Sequence, residues 1–285
     1  MQLNPGFRSL ALLAPPQARV PGSFTSVHHD PSRHDFLLRQ AQTLRGAVYL
    51  EDGAIDQSHM VNGRHVVSSD QKSWHLLVLD AAQQVCACTR FHHHPAGVEF
   101  SRLTAAESSL ASSSEWGSRV KSAVEEELAL SRRMDLAFVE IGGWALAQEI
   151  RGSVEALRMV LAIYAFFRTL GGAVGLATAT IRHSSASILR RIGGRPLHHN
   201  GLQVPSYRDS QYSCDMEMLR FYSWAPNPRF DCWIREIGSE IRSIPVFTAG
   251  MPDPAWYPTD YPINQHTKSP ALTVLSAAGL CQAGT

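Results

Sequence analysis

Apolar residues recur at helical spacing between Arg33 and Tyr49, through Phe36, Leu37, Ala41, Leu44 and Val48. That spacing predicts a helix. Ahead of it, Pro5, Pro15, Pro16, Pro21 and Pro31 punctuate residues 1–32, which read as an irregular extension. Glu51 to Asp70 is polar and broken by glycines, a loop with room for one short strand. Trp74–Leu79 and Gln84–Phe91 are strand-like runs, with Asp80–Gln83 as a hairpin turn between them. Ser101 to Arg133 carries weak helical periodicity through Leu110, Trp116, Val120, Val124 and Leu128, with a break or cap at Ser112–Ser114. Ala137–Ala147 reads as a strand. Gly142 and Gly143 inside it predict a bulge or the close approach of a ligand.

Ser153–Leu170 is apolar around nearly its whole circumference, so the helix it predicts should be buried. Gly171 and Gly172 end it. Ala173–Ile181 is a continuous apolar run, consistent with a central strand. Ser184–Ile192 reads as a short basic helix closed by Gly193 and Gly194. Strands are expected at Leu202–Tyr207 and Asp215–Tyr222, and a last helix at Phe230–Ile241. A proline-rich tail with Trp256, Tyr257 and Tyr261 should wrap the surface. This order predicts a mixed α/β sheet with a strand–helix–strand unit near its middle. The expected division is an extension at 1–32, a main domain at 33–223, and a C-terminal helix and tail at 224–285.

The chain has 285 residues, 44% of them apolar, which is enough for a full-sized core. A formal charge of +1 excludes a strongly basic nucleic-acid-coating protein, and no nucleic-acid partner is expected. The longest apolar stretch, Met159–Phe167, is too short to span a bilayer. Pro15 and Pro16 interrupt the early run Leu10–Ala14, a poor match to a secretory signal. Five cysteines (86, 88, 214, 232 and 281) without a CxxC pair read as free thiols, which fits a cytoplasmic protein. Cys86 and Cys88 are expected on one strand face.

Chemistry concentrates between Glu140 and Ala156. A strand feeds a loop, and the loop opens a helix whose first amides and dipole suit a phosphate. Arg151 adds a cation, and Ser153 a hydroxyl or cap. Glu140, Trp144-Ala145-Leu146, Arg151-Gly152 and Ala156 stand at the spacing of a known pattern. In that pattern a Glu is followed by an apolar triplet and an Arg-x-x-Gly-x-Gly/Ala loop opening a helix. The segment thereby resembles the acyl-donor-binding core of the GNAT acyltransferase superfamily. Val154 stands at the loop's central glycine and Leu189 at the family's frequent tyrosine acid. Arg45-Gly-Ala-Val48-Tyr49, Asp70, His75–Asp80, Thr89-Arg90 and Glu140 further resemble the acyl-homoserine-lactone synthases and N-acyl amino acid synthases. That branch's arginine three residues after the Glu is Gly143 here.

The resemblance implies a GNAT-like mixed sheet flanked by helices, with a buried helix after the Arg-Gly loop. It implies transfer of an acyl group from an acyl carrier protein or coenzyme A thioester to the amine of an amino acid or similar metabolite. Glu140 would take the amine proton, and Arg90 would pair with Glu140 or a substrate carboxylate. Trp144, Ala145, Leu146, Arg151, Gly152, Ser153, Val154 and Ala156 would hold the donor. The alternative is a non-catalytic GNAT-fold protein that binds a ligand or partner in the same cleft. Arg182, Arg190, Arg191 and Arg195 form a basic patch suited to an acidic carrier protein or a phosphate. No metal is expected from His92-His93-His94 or His198-His199. Adjacent residues on a strand face opposite ways, and no carboxylate sits at helical spacing to complete a ligand set.

Overall fold

The computed structural model describes residues 8–250. The first helix, α1 (Pro31–Glu51), is capped by the Asp30 carboxylate, which accepts from the Arg33 amide at 2.9 Å. Pro31 stands in its first turn, where a missing N–H costs nothing. The hairpin is β3 (Trp74–Leu79) and β4 (Val85–His94). A second helix, α2 (Gly117–Arg133), follows two 3-10 turns and is shorter than its periodicity. The Ser108 hydroxyl donates to the Ala105 carbonyl, and the Ser113 hydroxyl accepts from the amides of Glu115 and Trp116. These local bonds compete with the helix ladder and hold residues 108–116 out of it.

The strand–helix–strand unit is β5 (Ala137–Leu146), α3 (Val154–Thr169) and β6 (Ala173–Thr180), followed by α4 (Ser185–Ile192). The single strand expected at Leu202–Tyr207 is replaced by several short pieces spread between Arg195 and Asp209. Arg195–Pro196 (β7) joins the main sheet, while His198–His199 (β8) and Leu202–Gln203 (β9) form a separate hairpin. Tyr207–Asp209 (β10) then pairs with Cys214–Tyr222 (β11) in the main sheet. The last helix is α5 (Asp231–Glu240).

Residues 1–32, expected to be irregular, contain two strands. Ser9–Leu13 (β1) is a buried strand antiparallel to β3. Val246–Thr248 (β12) lies parallel to it, and Val27–His29 (β2) lies parallel to β12. The ten-stranded sheet runs β10-β11-β6-β5-β4-β3-β1-β12-β2, with β7 added against β11. The prolines bracket β1 without entering it, so its ladder forms. The expected surface tail with Trp256, Tyr257 and Tyr261 lies outside the described residues.

Alternation along the strands sorts the helices into two layers. Ile141, Ala177 and Ala179 face α3, α4 and α5. Phe138, Val174, Leu176 and Met216 face α2. Ala11, Leu13, Leu77, Cys88 and Ala145 face α1. The expected buried helix is α3, with Met159 through Phe167 all shielded from solvent. Cys86 and Cys88, expected on one face, pack into different clusters because the β3–β4 register shifts between Val78 and Leu79. Both are buried free thiols, and burial pushes Cys88 up to about 11. No helix among the described residues is long and apolar enough to cross a membrane.

Candidate active site

Parallel pairing of β5 with β6 runs from Ala137–Ala173 to Ile141–Ala177 and stops there. β5 continues five residues to Leu146, and β6 continues three to Thr180. The two strands therefore splay, and the edge of β5 facing β6 loses its ladder partner beyond Ile141. A bulge sits in the same stretch. Cys88 pairs with Ala145 and Arg90 with Gly142, so Gly143 and Trp144 together oppose Thr89. Gly143 has φ +65°, the left-handed region that glycine tolerates best. A Cβ there would lie 3.1 Å from Arg90 Cγ and 3.2 Å from Arg45 Nη1. The space an arginine would need at position 143 is already taken by two others.

The gap opens into a cavity of about 490 Å³. Its lining includes Ile141, Ala177, Val160 and Ile163 from the α3 face, and Glu140, Leu176, His92 and Arg90 from the opposite face. Residues of both strand parities line one space, so the cavity passes through the sheet where the strands separate. One side is apolar and the other carries titratable groups, a common division in small-molecule sites.

Of the residues that sequence reasoning nominated, Glu140, Arg90, Trp144, Ala145, Leu146, Arg151 and Gly152 line this cavity. Ser153, Val154 and Ala156 stand at its margin, in the first turn of α3. The Ser153 hydroxyl accepts from the Ala156 amide at 3.4 Å and donates to the Ile150 carbonyl at 2.6 Å, a helix cap. Val154 is exposed. Gly152, at φ +73°, turns the chain into the helix. Arg151 already has anionic partners: Glu51 at 3.1 Å and Asp52 at 3.5 Å, at the C-terminal end of α1. Arg182 reaches the Asp52 carbonyl at the same place. Trp144 Nε1 is buried in the wall without an acceptor among the described residues.

Glu140 is held from three sides. His94 Nε2 lies 2.9 Å from Oε2, the Thr104 amide donates to Oε2 at 3.0 Å, and the Ala105 amide donates to Oε1 at 3.0 Å. Burial works to raise its pKa, but these donors outweigh burial and hold the carboxyl below the usual carboxylate range. Arg90 pairs with the other candidate carboxylate, Asp70, at 3.9 Å, and donates to the Ser69 hydroxyl. Asp70 is the hub of a buried network. Arg45 Nη2 donates to it at 2.7 Å, Gln42 Nε2 at 3.0 Å and the Val67 amide at 3.1 Å. Gln42 and Arg45 lie three apart on α1, which places both on its buried face. The spaced motif Arg45, Asp70, Arg90 is thus one contiguous cluster.

The structure also gathers what spacing alone hid. His92 and His94 are two apart on β4 and share a face, and His92 is the register partner of Glu140 on β5. Their imidazole rings are 4.2 Å apart. Burial, reinforced by the neighbouring His94, pushes His92 down to about 4, so it is neutral near pH 7. The amides of Thr104 and Ala105 come from a 3-10 turn with no sequence signature of its own.

No protein-family model matches the chain, and no curated protein matches it. Solved structures do. The acyl-homoserine lactone synthase BjaI, described as coenzyme-A-dependent and solved with MTA, is 14% identical, with 87% of this chain and 97% of that one covered and a TM-score of 0.48. FeeM, an N-acyl amino acid synthase from uncultured soil microbes, is 10% identical over 69% and 88%, with a TM-score of 0.43. The synthase LasI is 15% identical over 66% and 84%, with a TM-score of 0.43.

Proposed function

We propose that the chain is an N-acyltransferase that moves an acyl group from a thioester to an amine through the gap between β5 and β6. The observation that carries this reading is the cavity through the splayed sheet, apolar on the α3 side and bearing Glu140 and Arg90 on the other. A pantetheine arm lying along β5 would meet amides freed beyond Ile141 and the partnerless indole N–H of Trp144. The amine nitrogen bonds to the thioester carbonyl carbon, the C–S bond breaks, and the sulfur leaves as a thiol. The proton lost by the amine passes to the ionised Glu140, directly or through water. Arg90 lines the cavity beside its Asp70 partner, and in this reading its guanidinium would bind a carboxylate on the acceptor, an amino acid or a similar metabolite.

The donor in this reading is an acyl chain on an acyl carrier protein. A carrier-borne pantetheine ends in one phosphodiester, whereas coenzyme A carries a pyrophosphate that needs a closer backbone approach. Val154, β-branched where the pattern has glycine, obstructs that approach at the start of α3. Arg190, Arg191 and Arg195 are exposed, Arg190 with Glu217 at 3.5 Å, and in this reading they would receive an acidic surface. The test compares matched acyl chains on carrier and coenzyme A, across a panel of amino acids, by thiol release. The expected result is a higher kcat/KM with the carrier donor, falling as salt rises. Equal or better turnover with coenzyme A and no salt effect overturns the choice of donor.

One observation favours a second reading, a non-catalytic binding protein: both Glu140 oxygens are already hydrogen-bonded. Thermal stabilisation by coenzyme A or carrier thioesters, without thiol release for any amine, supports that reading instead.

Arg151→Ala is expected to raise the donor KM roughly threefold or more, with kcat changed by less than about twofold. The guanidinium would give up Glu51 and Asp52 for a phosphate, which it contacts equally in ground and transition states. Steady-state kinetics at saturating acceptor decide this, and a fall in kcat alone contradicts it.

A further inference from the structure

The face of the sheet opposite α3 sets beside Glu140 two histidines, His92 and His94, that neither the proposed chemistry nor the sequence motifs require. His92 and His94 project from the same side of β4. Glu140 stands directly across from His92 on β5, where opposed side chains come within about 5 Å at Cβ. One ligand atom from each of the three lies within 4.8 Å of the others, and His94 Nε2 and Glu140 Oε2 are already 2.9 Å apart. A tetrahedral zinc with ~2.0–2.1 Å bonds holds its ligand atoms about 3.4 Å apart. Small side-chain rotations reach that spacing. We propose that His92, His94 and Glu140 form a binding site for one divalent d-block cation of the zinc class, with a coordination position open to the cavity.

Three features support the assignment. The donor set, two imidazoles and a carboxylate, is one that zinc favours when a fourth position is left open. The carboxylate is oriented from behind by the amides of Thr104 and Ala105, the kind of outer support that holds metal ligands in place. His92 and Glu140 both line the cavity, and His92 makes no hydrogen bond among the described residues. On binding, the His94–Glu140 hydrogen bond is exchanged for two bonds to the ion, and the His94 proton resides on Nδ1. The carboxylate neutralises one of the ion's two charges, so the open position suits an anionic or thiolate ligand. Binding is read without turnover, so its outcome is separate from that of the acyl-transfer reading, and a cation held by Glu140 would compete with the amine proton for that carboxylate.

The test uses the full chain, stripped with chelator and titrated with cobalt(II), then with zinc(II). Expected is one equivalent of cobalt with the visible d–d absorption of a low-coordinate site, displaced one-for-one by zinc. His92→Gln and His94→Gln should each weaken binding by at least tenfold, while His28→Gln, an exposed histidine elsewhere, should leave it unchanged. Circular dichroism checks that the variants fold. If a variant does not fold, the wild-type titration still decides. Failure of the wild-type chain to take up one cobalt, or an unchanged spectrum in folded His92→Gln, overturns the site.

Discussion

Asp70→Ala is expected to destabilise the protein by about 3–5 kcal/mol, the usual cost of leaving one member of a buried ion pair without its partner. The Arg45 and Asp70 side chains are 2% and 1% exposed, so water cannot replace the lost carboxylate. Gln42 Nε2 and the Val67 amide would lose an acceptor as well. The pH dependence has a definite sign. Burial pushes the Asp70 carboxyl up, but Arg45 beside it pulls harder, so the folded-state pKa lies below the ordinary 3.8. A depressed carboxylate stabilises the fold fully above that ordinary value and loses the contribution as pH falls below it. Urea denaturation of both proteins should therefore show a wide gap at pH 7 that narrows below about pH 4. Replacing both partners with apolar residues, Arg45→Met with Asp70→Leu, should recover part of the loss. A gap under 1 kcal/mol at pH 7 would mean that the network contributes little.

Glu140→Gln is expected to lower acyl transfer by more than tenfold, which is about 1.4 kcal/mol or more of transition-state stabilisation. An amide cannot accept the amine proton. It also turns an NH₂ toward one of the donors that now serve the carboxylate, His94 or the amides of Thr104 and Ala105. A stability loss of about 1–3 kcal/mol should accompany the change, so rates are compared well below each protein's melting temperature. The depressed pKa predicts that Glu140 keeps its basic form down to and below pH 4.5, the ordinary value for this group, so a fall in rate above that pH belongs to protonation of the acceptor amine. Glu140→Asp, which keeps the charge on a shorter arm, should retain more activity than the amide. Undiminished kcat/KM in a folded Glu140→Gln protein would remove this carboxylate from the mechanism and favour the binding reading.

Much of the frame is legible in local pattern. The helical spacing at Phe36, Leu37, Ala41 and Leu44, the apolar circumference of 153–170 and the run Ala173–Ile181 each mark an element that forms within a residue or two. The reason is that burial of one face or of a whole circumference imposes a period on the residues themselves. Gly142-Gly143 likewise marked a bulge or the approach of a ligand, and the bulge forms at Gly143, whose positive φ glycine tolerates best. Ser153 announced a cap, because its oxygen suits the orphan amide of Ala156.

What depended on sequence separation stayed hidden. β1 and β12 lie more than 230 residues apart, and each takes its ladder partners from distant parts of the chain. Arg151 reads as a free cation until α1 folds back and sets Glu51 and Asp52 against it. The chain by itself marked most of the helices, the central strands and the residue types of the candidate site, since these follow from periodicity and side-chain chemistry. Only the tertiary structure decided which charges neutralise one another and where β5 parts from β6. It alone brought Glu140 between two histidines of a neighbouring strand, because strand register is a long-range choice that no local spacing records.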